Sequence, residues 1–301
     1  MTHHHHETEI SALDRRLWAS AGLNLGITIV EFAGGLWSGS LALLADAAHN
    51  LTDAGALGLA ILARRLGRRA PTPRHTYGLK RAEVVAALLN AAGLIAISAL
   101  IGREAVSHLL HPAPVRASVM LIAASVAAVA NMASVLLLRR HRRDDINVRS
   151  AFLHLAQDAL ASLAVLMAAL FARTAWGSYV DPAAAMLIGI VVLRSAVSIA
   201  WESLHTLLEA APPGVDVDDI VSEVAGRFDR IHLHHLHVWE VGPGQRVLTA
   251  HMKVGGMNLV EAEAAAAEVR RFLRVKWGIT HATLEAEANG CGREQLLGKW
   301  K

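Results

Sequence analysis

Long apolar runs alternate with short polar segments over roughly the first two thirds of the chain. Six of these runs are each roughly 20 residues long, which lets a helix span the hydrocarbon core of a bilayer. They lie at Leu17–Trp37, Leu41–Ala63, Val84–Leu109, Val115–Leu138, Ala151–Ala172 and Tyr179–Ala200. Gly, Ala and Ser recur in all six, as close helix packing in lipid favours. The pattern predicts a membrane all-α domain of six transmembrane helices over residues 15–209.

The pattern changes after Glu209, where two prolines and a glycine at residues 212–214 break the last helix. Beyond this point the periodicity predicts amphipathic helices and alternating strands. In chain order these are Asp216–Phe228, Ile231–Val241, Val247–Val254, Leu259–Leu273 and Ile279–Glu287. The order α-β-β-α-β is typical of a small α+β domain of ferredoxin-like type. We expect this domain over residues 210–288, with a polar, His-containing tail at residues 1–14 and a second tail at residues 289–301.

Composition and charge support a membrane protein. Hydrophobic residues make up 53% of the 301 residues, and the mean hydropathy of +0.36 is too high for an ordinary soluble domain. Basic residues are bunched in the loops at positions 64–81 and 139–149, whereas the loops on the other side carry little more than Arg116 and Arg173. The positive-inside rule therefore places both termini in the cytoplasm and gives no reason to expect a nucleic-acid surface. The first apolar run is too long for a cleavable signal peptide.

Two pairs of ionisable residues interrupt the apolar runs. His49 and Asp53 lie four residues apart in the second run, and His154 and Asp158 repeat this spacing in the fifth. On a helix, the spacing stacks both side chains of a pair on one face. Ionisable groups at membrane depth are costly, so the repeated pair indicates a functional site. Two imidazoles and two carboxylates can form a tetrahedral site for a divalent metal such as Zn²⁺, whose charge the carboxylates balance.

Other polar residues in the apolar runs have simpler explanations, and each His–Asp pair could itself be an ion pair that locks two helices together. Asp46 lies near the outer end of its helix and is expected to be hydrated, while Glu31 and Arg194 are expected to line a wet cavity or to snorkel. Hydrogen bonding between helices is the expected role of Asn24, Asn90, Asn131 and Gln157.

Histidines are also concentrated in the second domain. Four lie at His232, His234, His235 and His237, and His251 and His281 follow on neighbouring predicted strands. Alternation puts the first two on one face of their strand and the next two on the other. This density favours metal binding over isolated surface histidines, with Glu287 as a further candidate ligand. The pattern does not decide which face is buried, so the ligand set stays open.

Several chemistries lack their expected residues. The sequence contains no GxxxxGK[ST] phosphate loop, which argues against ATP-driven pumping, and no HExxH motif for a zinc protease. Cys291 is the single cysteine, so neither an internal disulfide nor a thiolate metal cluster can form. We therefore do not expect an enzyme.

Taken together, these motifs resemble the cation diffusion facilitator family and, within it, bacterial zinc exporters. The matching stretches are Ser38–His49 continuing to Asp53, Arg74–Gly78 with Arg81–Glu83, His154–Asp158, Val192–Ser195, Leu207–Glu209, His234–Trp239 and His281–Thr283. The resemblance covers nearly the whole chain, and the paired HxxxD is its most specific part.

The resemblance implies a homodimer in the bacterial inner (cytoplasmic) membrane that exports Zn²⁺ in exchange for protons. It implies a transport site at His49, Asp53, His154 and Asp158, and cytoplasmic metal sites at His234, His251 and His281. Some relatives carry an Asp where Thr283 stands here, so on that strand beyond His281 only Glu287 is a candidate ligand. His232, His235 and His237 are further, weaker candidates. Cd²⁺ or other divalent transition metals are possible further substrates.

Two other functions are compatible with the same residues. A membrane zinc sensor or scaffold would bind the metal without moving it, and an intramembrane hydrolase would use the same ligands for chemistry. The His3–His6 run in the N-terminal tail is either a native metal-binding segment or the remnant of a purification tag.

Overall fold

A computed structural model describes residues 22–139, 146–174 and 176–288. The chain forms two compact units, which we describe separately. The first comprises the residues up to Gly58 together with Leu89–Ile199, and the second comprises Leu59–Leu88 and the residues from Ala200 onward. The predicted tails at residues 1–14 and 289–301, with the His3–His6 run and Cys291, lie outside the described residues.

The first two thirds of the chain are helical. Residues 22–38 form α1, and five longer helices follow, at Leu41–Gly67 (α2), Ala82–Leu110 (α3), Ala117–Arg139 (α4), Ile146–Phe171 (α5) and Gly177–Leu207 (α6). Within the described residues, four segments are long and apolar enough to cross a membrane, namely Ala82–Leu110, Ala117–Leu136, Phe152–Phe171 and Gly177–Leu207. The described part of α1 is short, and α2 is made more polar by Asp46, His49 and Asp53. A helical membrane domain is therefore confirmed, whereas six spans remain a prediction.

Small side chains fill the core of the first unit. Ala42, Ala105, Ala124, Ala169 and Ala196 come from five different helices and are all fully buried. Gly34 shows how close the helices approach, because a Cβ at this position would lie 2.5 Å from the Cβ of Ala123. Large apolar side chains such as Leu100, Val129 and Leu160 instead point outward and are exposed. Small residues inside and large apolar residues outside are expected of helices whose outer faces contact lipid.

A buried carboxylate holds the start of α2 against α6. Asp181 accepts hydrogen bonds from the Ser40 hydroxyl at 2.5 Å and from the backbone amides of Leu41 at 2.8 Å and Ala42 at 3.3 Å. These amides belong to the first turn of α2, where the helix itself offers no acceptor. Asp181 thus acts as an N-terminal cap supplied by another helix, and its negative charge also suits the helix dipole.

The second unit contains the predicted α-β-β-α-β order, which is confirmed. Its elements are α7 (Val217–Arg227), β1 (His232–Glu240), β2 (Arg246–Lys253), α8 (Leu259–Trp277) and β3 (Ile279–Glu287). Asp216 caps α7, and α8 begins with a capping box between Asn258 and Glu261. It ends at Gly278, whose φ of 67° is a left-handed conformation that glycine adopts freely. The observed starts of both helices lie within one residue of the predicted starts, whereas α8 continues four residues beyond its predicted end at Leu273.

The three strands form one sheet in the order β1-β2-β3. β1 and β2 are antiparallel, and β3 runs parallel to β2 after the crossover through α8. Leu236, Leu248 and Met252 from the sheet share one buried core with Val224 of α7 and Leu273 of α8. A small sheet packed with two helices is therefore established, while the finer ferredoxin-like assignment is not.

A β-bulge interrupts the pairing of β1 with β2. His234 lies opposite His251 and His237 lies opposite Thr249, so two residues of β1 stand against Ala250 alone. His235 has a φ of 52°, a left-handed conformation that is uncommon for a residue with a side chain. The extra residue places His237 on the same face as His234, contrary to simple alternation.

We expect Asp181→Ala to destabilise the membrane domain, because it leaves two buried amides and a hydroxyl without their acceptor. The loss should be roughly 1–3 kcal/mol, the usual cost of unsatisfied buried donors. It would be measured as a lower midpoint of thermal unfolding for the detergent-solubilised protein. Glu263→Ala, at an exposed position of α8, is the matched control. An Asp181→Ala midpoint equal to that of the control would contradict the capping role.

Candidate metal centres

The four predicted membrane-domain ligands come together between α2 and α5. His49 and Asp53 lie one turn apart on α2, and His154 and Asp158 lie one turn apart on α5. The Nε2 atom of His154 is 3.3 Å from Oδ2 of Asp53 and 3.8 Å from Oδ2 of Asp158. The Nε2 atom of His49 is 3.7 Å from Oδ2 of Asp53 and 3.9 Å from Oδ1 of Asp158. Each imidazole therefore faces both carboxylates.

These separations suit a small metal ion. Ligand atoms around a tetrahedral ion at about 2.1 Å lie about 3.4 Å from one another. The ligand atoms of His49, Asp53 and Asp158 all lie within 4.8 Å of each other, a group that does not include His154. The ring centroids of His49 and His154 are 6.4 Å apart.

Unpartnered polar atoms also favour a metal here. Nδ1 of His49, Oδ2 of Asp53 and both carboxylate oxygens of Asp158 are buried, and no described group forms a hydrogen bond with them. Such atoms are costly unless a proton, a water or an ion satisfies them. The Asp158 side chain is fully buried, whereas that of His154 is 44% exposed. The site is therefore open on the His154 side.

A second polar cluster lies beside this site, and its burial was not predicted. Glu31 and Asp46 are both fully inaccessible, so the expectations of a wet cavity at Glu31 and a hydrated Asp46 are wrong. Asn50 donates a hydrogen bond to Glu31 at 3.0 Å, and Ser162 donates one to Asp46 at 3.1 Å. Helix packing explains the error, because α2 turns Asp46 toward α1 and α5 and away from solvent. Glu31 and Asp46 lie fifteen residues apart on different helices, so the periodicity of either helix alone could not have shown this contact.

The predicted hydrogen bonding between helices is confirmed for Asn131. Its amide on α4 donates to the Ser162 hydroxyl on α5 at 2.7 Å. Asn131, Ser162 and Asp46 consequently form a continuous chain through the first unit. Gln157 is exposed on α5, and no role in the site follows from its position.

The second unit contains a separate group with metal-binding geometry. His234, His251 and Glu287, one from each strand, have ligand atoms that lie within 4.8 Å of one another. Nε2 of His234 is 3.1 Å from Oε2 of Glu287, and Nδ1 of His251 is 2.7 Å from Oε1 of the same carboxylate. The short His251 contact lacks hydrogen-bond geometry, and Nδ1 is buried with no described hydrogen-bond partner. Two histidine nitrogens and a carboxylate converging in this way suit a divalent metal.

The bulge changes which histidines are neighbours. The ring centroid of His235 is 4.8 Å from that of His251 and 5.6 Å from that of His237. Alternation predicted His235 and His237 on the face away from His234, and this prediction is wrong because the left-handed residue at the bulge turns the strand. Both rings line a cleft with Glu209 and Glu285.

His232 and His281 stand apart from this group. His232 is exposed and lies opposite Lys253, at the start of β1. His281 is exposed and lies opposite Val247, four residues along β2 from His251. Glu287 therefore occupies the position beside His234 and His251 that the resemblance assigned to His281. His281 lies too far along the sheet to reach His251, because each of the four residues between their positions adds about 3.3 Å.

Comparison with known proteins gives two family matches that together cover most of the chain. The family described as cation efflux transmembrane domain matches residues 17–208. The family described as cation efflux protein, cytoplasmic domain, matches residues 212–289.

Individual relatives align over nearly the full length. Zinc transporter ZitB of Escherichia coli strain K12 is 37% identical over 279 residues, which is 92% of this chain and 88% of the relative. Zinc transporter ZitB of Yersinia pestis is 36% identical over 280 residues, 92% of this chain and 89% of the relative. The cadmium, cobalt and zinc/H(+)-K(+) antiporter of Bacillus subtilis is 34% identical over 301 residues, covering 99% and 95%.

The two glutamates of β3 provide a matched test of the strand-borne group. We expect Glu287→Gln to weaken Zn²⁺ binding by about tenfold or more, because it removes a charged ligand that faces both histidines. Glu285→Gln should have a smaller effect, since Glu285 is 69% exposed and its Oε2 atom lies 3.7 Å from Nε2 of His251. Zinc bound per protomer would be measured against free zinc for the purified full-length protein. An equal or larger effect of Glu285→Gln would remove Glu287 from the group.

Proposed function

Because the chain belongs to the cation efflux family, we propose that it is a secondary antiporter that exports Zn²⁺ from the cytoplasm in exchange for protons. The observation that carries this proposal is the convergence of two imidazoles and two carboxylates from α2 and α5, at separations of 3.3–3.9 Å. The relatives named as zinc transporters and as an H(+)-coupled antiporter support the choice of substrate and counter-ion.

Proton coupling follows from the chemistry of the ligands. Zn²⁺ binds only the neutral form of imidazole and the ionised form of a carboxyl, so its entry displaces protons from His49 and His154. Reprotonation from the opposite side of the membrane then favours release. The half-exposed His154 is the ligand through which the ion would enter or leave, because the other three ligands are more enclosed.

The membrane arrangement is also part of the proposal. We take α1 and α2 to span the bacterial inner membrane with the four more apolar helices, giving six spans with both termini in the cytoplasm. Polar residues lower the hydropathy of α2, yet Asp46 and Asn50 are buried within the first unit. In this proposal the domain boundaries lie near residues 14, 209 and 288.

The cytoplasmic domain would regulate transport. The match to the cytoplasmic-domain family supports a ferredoxin-like fold and a homodimer, while the His234, His251 and Glu287 geometry supports zinc binding there. These residues lie outside the apolar helices, so zinc at this group would report its cytoplasmic concentration. Other divalent ions such as Cd²⁺ are further candidate substrates, as the name of the Bacillus subtilis relative illustrates.

A zinc sensor or scaffold is the alternative, since it would use the same ligands without moving the metal. Zinc uptake into proteoliposomes under an imposed pH gradient separates the two functions. The antiporter requires uptake that follows the size and direction of the gradient. Zinc binding without gradient-driven uptake would favour the sensor.

Asp158 offers a direct test of the transport site. We expect Asp158→Ala to reduce zinc flux to background, because it removes a fully buried carboxylate that faces both histidines. The folded, dimeric state should persist, as measured by size-exclusion chromatography. Gln157→Ala, at the exposed neighbouring position, is the control and should transport normally. Near-normal flux in Asp158→Ala would remove the assignment of this site.

His49 should govern metal selectivity. His49→Asp replaces a nitrogen ligand by an oxygen ligand on a shorter side chain, so the cavity becomes larger and less suited to a small tetrahedral ion. We expect measurable zinc transport, a higher cadmium-to-zinc flux ratio and a flatter pH dependence near neutrality, where imidazole changes charge. Matched proteoliposomes of the parent, His49→Asp and the exposed control His111→Asp would be compared. A fully active His49→Asp with the parental flux ratio would show that His49 does not set selectivity.

A further inference from the structure

We propose that Glu31 and Asp46 share one proton and form a proton-binding pair inside the membrane domain, separate from the four candidate metal ligands. Glu31 lies on α1, and Asp46 lies on α2 one turn before His49. Both side chains are fully buried. Asn50, one turn after Asp46 on α2, donates a hydrogen bond to Glu31 at 3.0 Å, so the two carboxyl groups lie next to each other.

The described hydrogen-bond donors leave one oxygen of each carboxyl without a partner. One oxygen of each carboxyl has a donor, namely the Asn50 amide for Glu31 Oε2 and the Ser162 hydroxyl for Asp46 Oδ2. Oε1 of Glu31 and Oδ1 of Asp46 are buried, and the described residues provide no donor to either. Two ionised carboxylates only accept hydrogen bonds, so they would repel each other here. One proton converts one of them into a donor to the other.

The described residues around the pair provide no positive charge that would stabilise two ionised carboxylates at this position. The charged or titratable groups that face the pair are His49 on α2 and Asp158 on α5. Asp158 makes a second negative charge on the pair less favourable, and His49 is already placed between Asp53 and Asp158. Asn131 reaches the cluster from α4 but is neutral. In the described part of the chain, no lysine or arginine contacts either carboxyl.

In the described part of the chain, the groups with metal-binding geometry include neither Glu31 nor Asp46. The pair therefore has the properties of acid pairs in which two carboxyls hold one proton and carry one negative charge.

The pair also extends the proposed transport function, and this step rests on that function. A Zn²⁺ ion arriving at His49 and Asp158 brings two positive charges close to the pair in a medium of low dielectric. The added charge favours ionisation, so the O–H bond of the pair breaks, the proton leaves to water and the pair changes from one negative charge to two. Zinc entry would then release one proton that none of the four ligands supplies.

Infrared spectroscopy of the zinc-free protein tests the shared proton directly. A protonated carboxyl has a C=O stretching band that ionised carboxylates lack, and the band shifts in deuterated water. We expect this band near neutral pH in the parent protein and its loss in Glu31→Gln, in which the pair keeps one negative charge and a donor. Asp46→Asn should also remove or shift the band, whereas Glu263→Gln, at an exposed site, should leave it unchanged.

Two results would overturn the shared proton. One is the absence of a protonated-carboxyl band from the parent protein, which would also be the result if a cation separated the carboxyls. The other is a band lost in Glu31→Gln but unchanged in Asp46→Asn, which would place the proton on Glu31 alone. Neither result depends on a variant transporting zinc.

Proton release tests the coupling step. Zinc added to weakly buffered parent protein should abolish the band and release about one more proton per bound zinc than it does from Glu31→Gln, as the ionisation of one carboxyl requires. A band that survives zinc saturation would refute the coupling while leaving the shared proton in place. Loss of gradient-driven zinc uptake by the parent would instead refute the proposed function, independently of the infrared result.

Discussion

Placing ionisable side chains inside an apolar helix bundle costs several kcal/mol for each group that lacks a partner. The first unit contains six such groups close together, and their arrangement follows from this cost. His49, Asp53, His154 and Asp158 are arranged so that every imidazole faces two carboxylates. Glu31 and Asp46 face each other and receive hydrogen bonds from neutral donors. The small residues of the helix faces make this possible, because α1, α2, α4 and α5 can approach closely enough for the polar groups to meet.

The elements that follow a regular hydrophobic pattern or a regular residue spacing could be predicted from the sequence. Apolar runs of membrane length predicted the helical domain, and amphipathic and alternating periodicity predicted the α-β-β-α-β order. The paired four-residue spacing of His49 with Asp53 and His154 with Asp158 placed each pair on one helix face. The meeting of α2 with α5 was a hypothesis from the repeated pair, to which the resemblance added support, and the structure brings these side chains together.

Features that depend on a single local distortion, or on which helix faces which, were not predictable. The bulge at His235 arises from one left-handed residue, and it reassigns the faces of two histidines that alternation had separated. The replacement of His281 by Glu287 beside His251 depends on the register between β2 and β3, which the sequence pattern does not encode. The burial of Glu31 and Asp46 depends on the rotation of α1 and α2 about their axes. Hydrophobic periodicity is too weak to fix that rotation when alanine and glycine occupy several faces.

The cap that Asp181 provides has a mechanical consequence. A helix whose first turn is bound to a neighbour at three points can tilt only about that turn. Asp53 lies twelve residues beyond Leu41 on α2, a lever of about 18 Å at 1.5 Å per residue. A tilt of about 10° would carry Asp53 through about 3 Å on that lever arm, comparable with the 3.3 Å that separates it from His154. A small rotation about a fixed end is thus sufficient to assemble or disperse a four-ligand shell, and α2 need not slide or unwind.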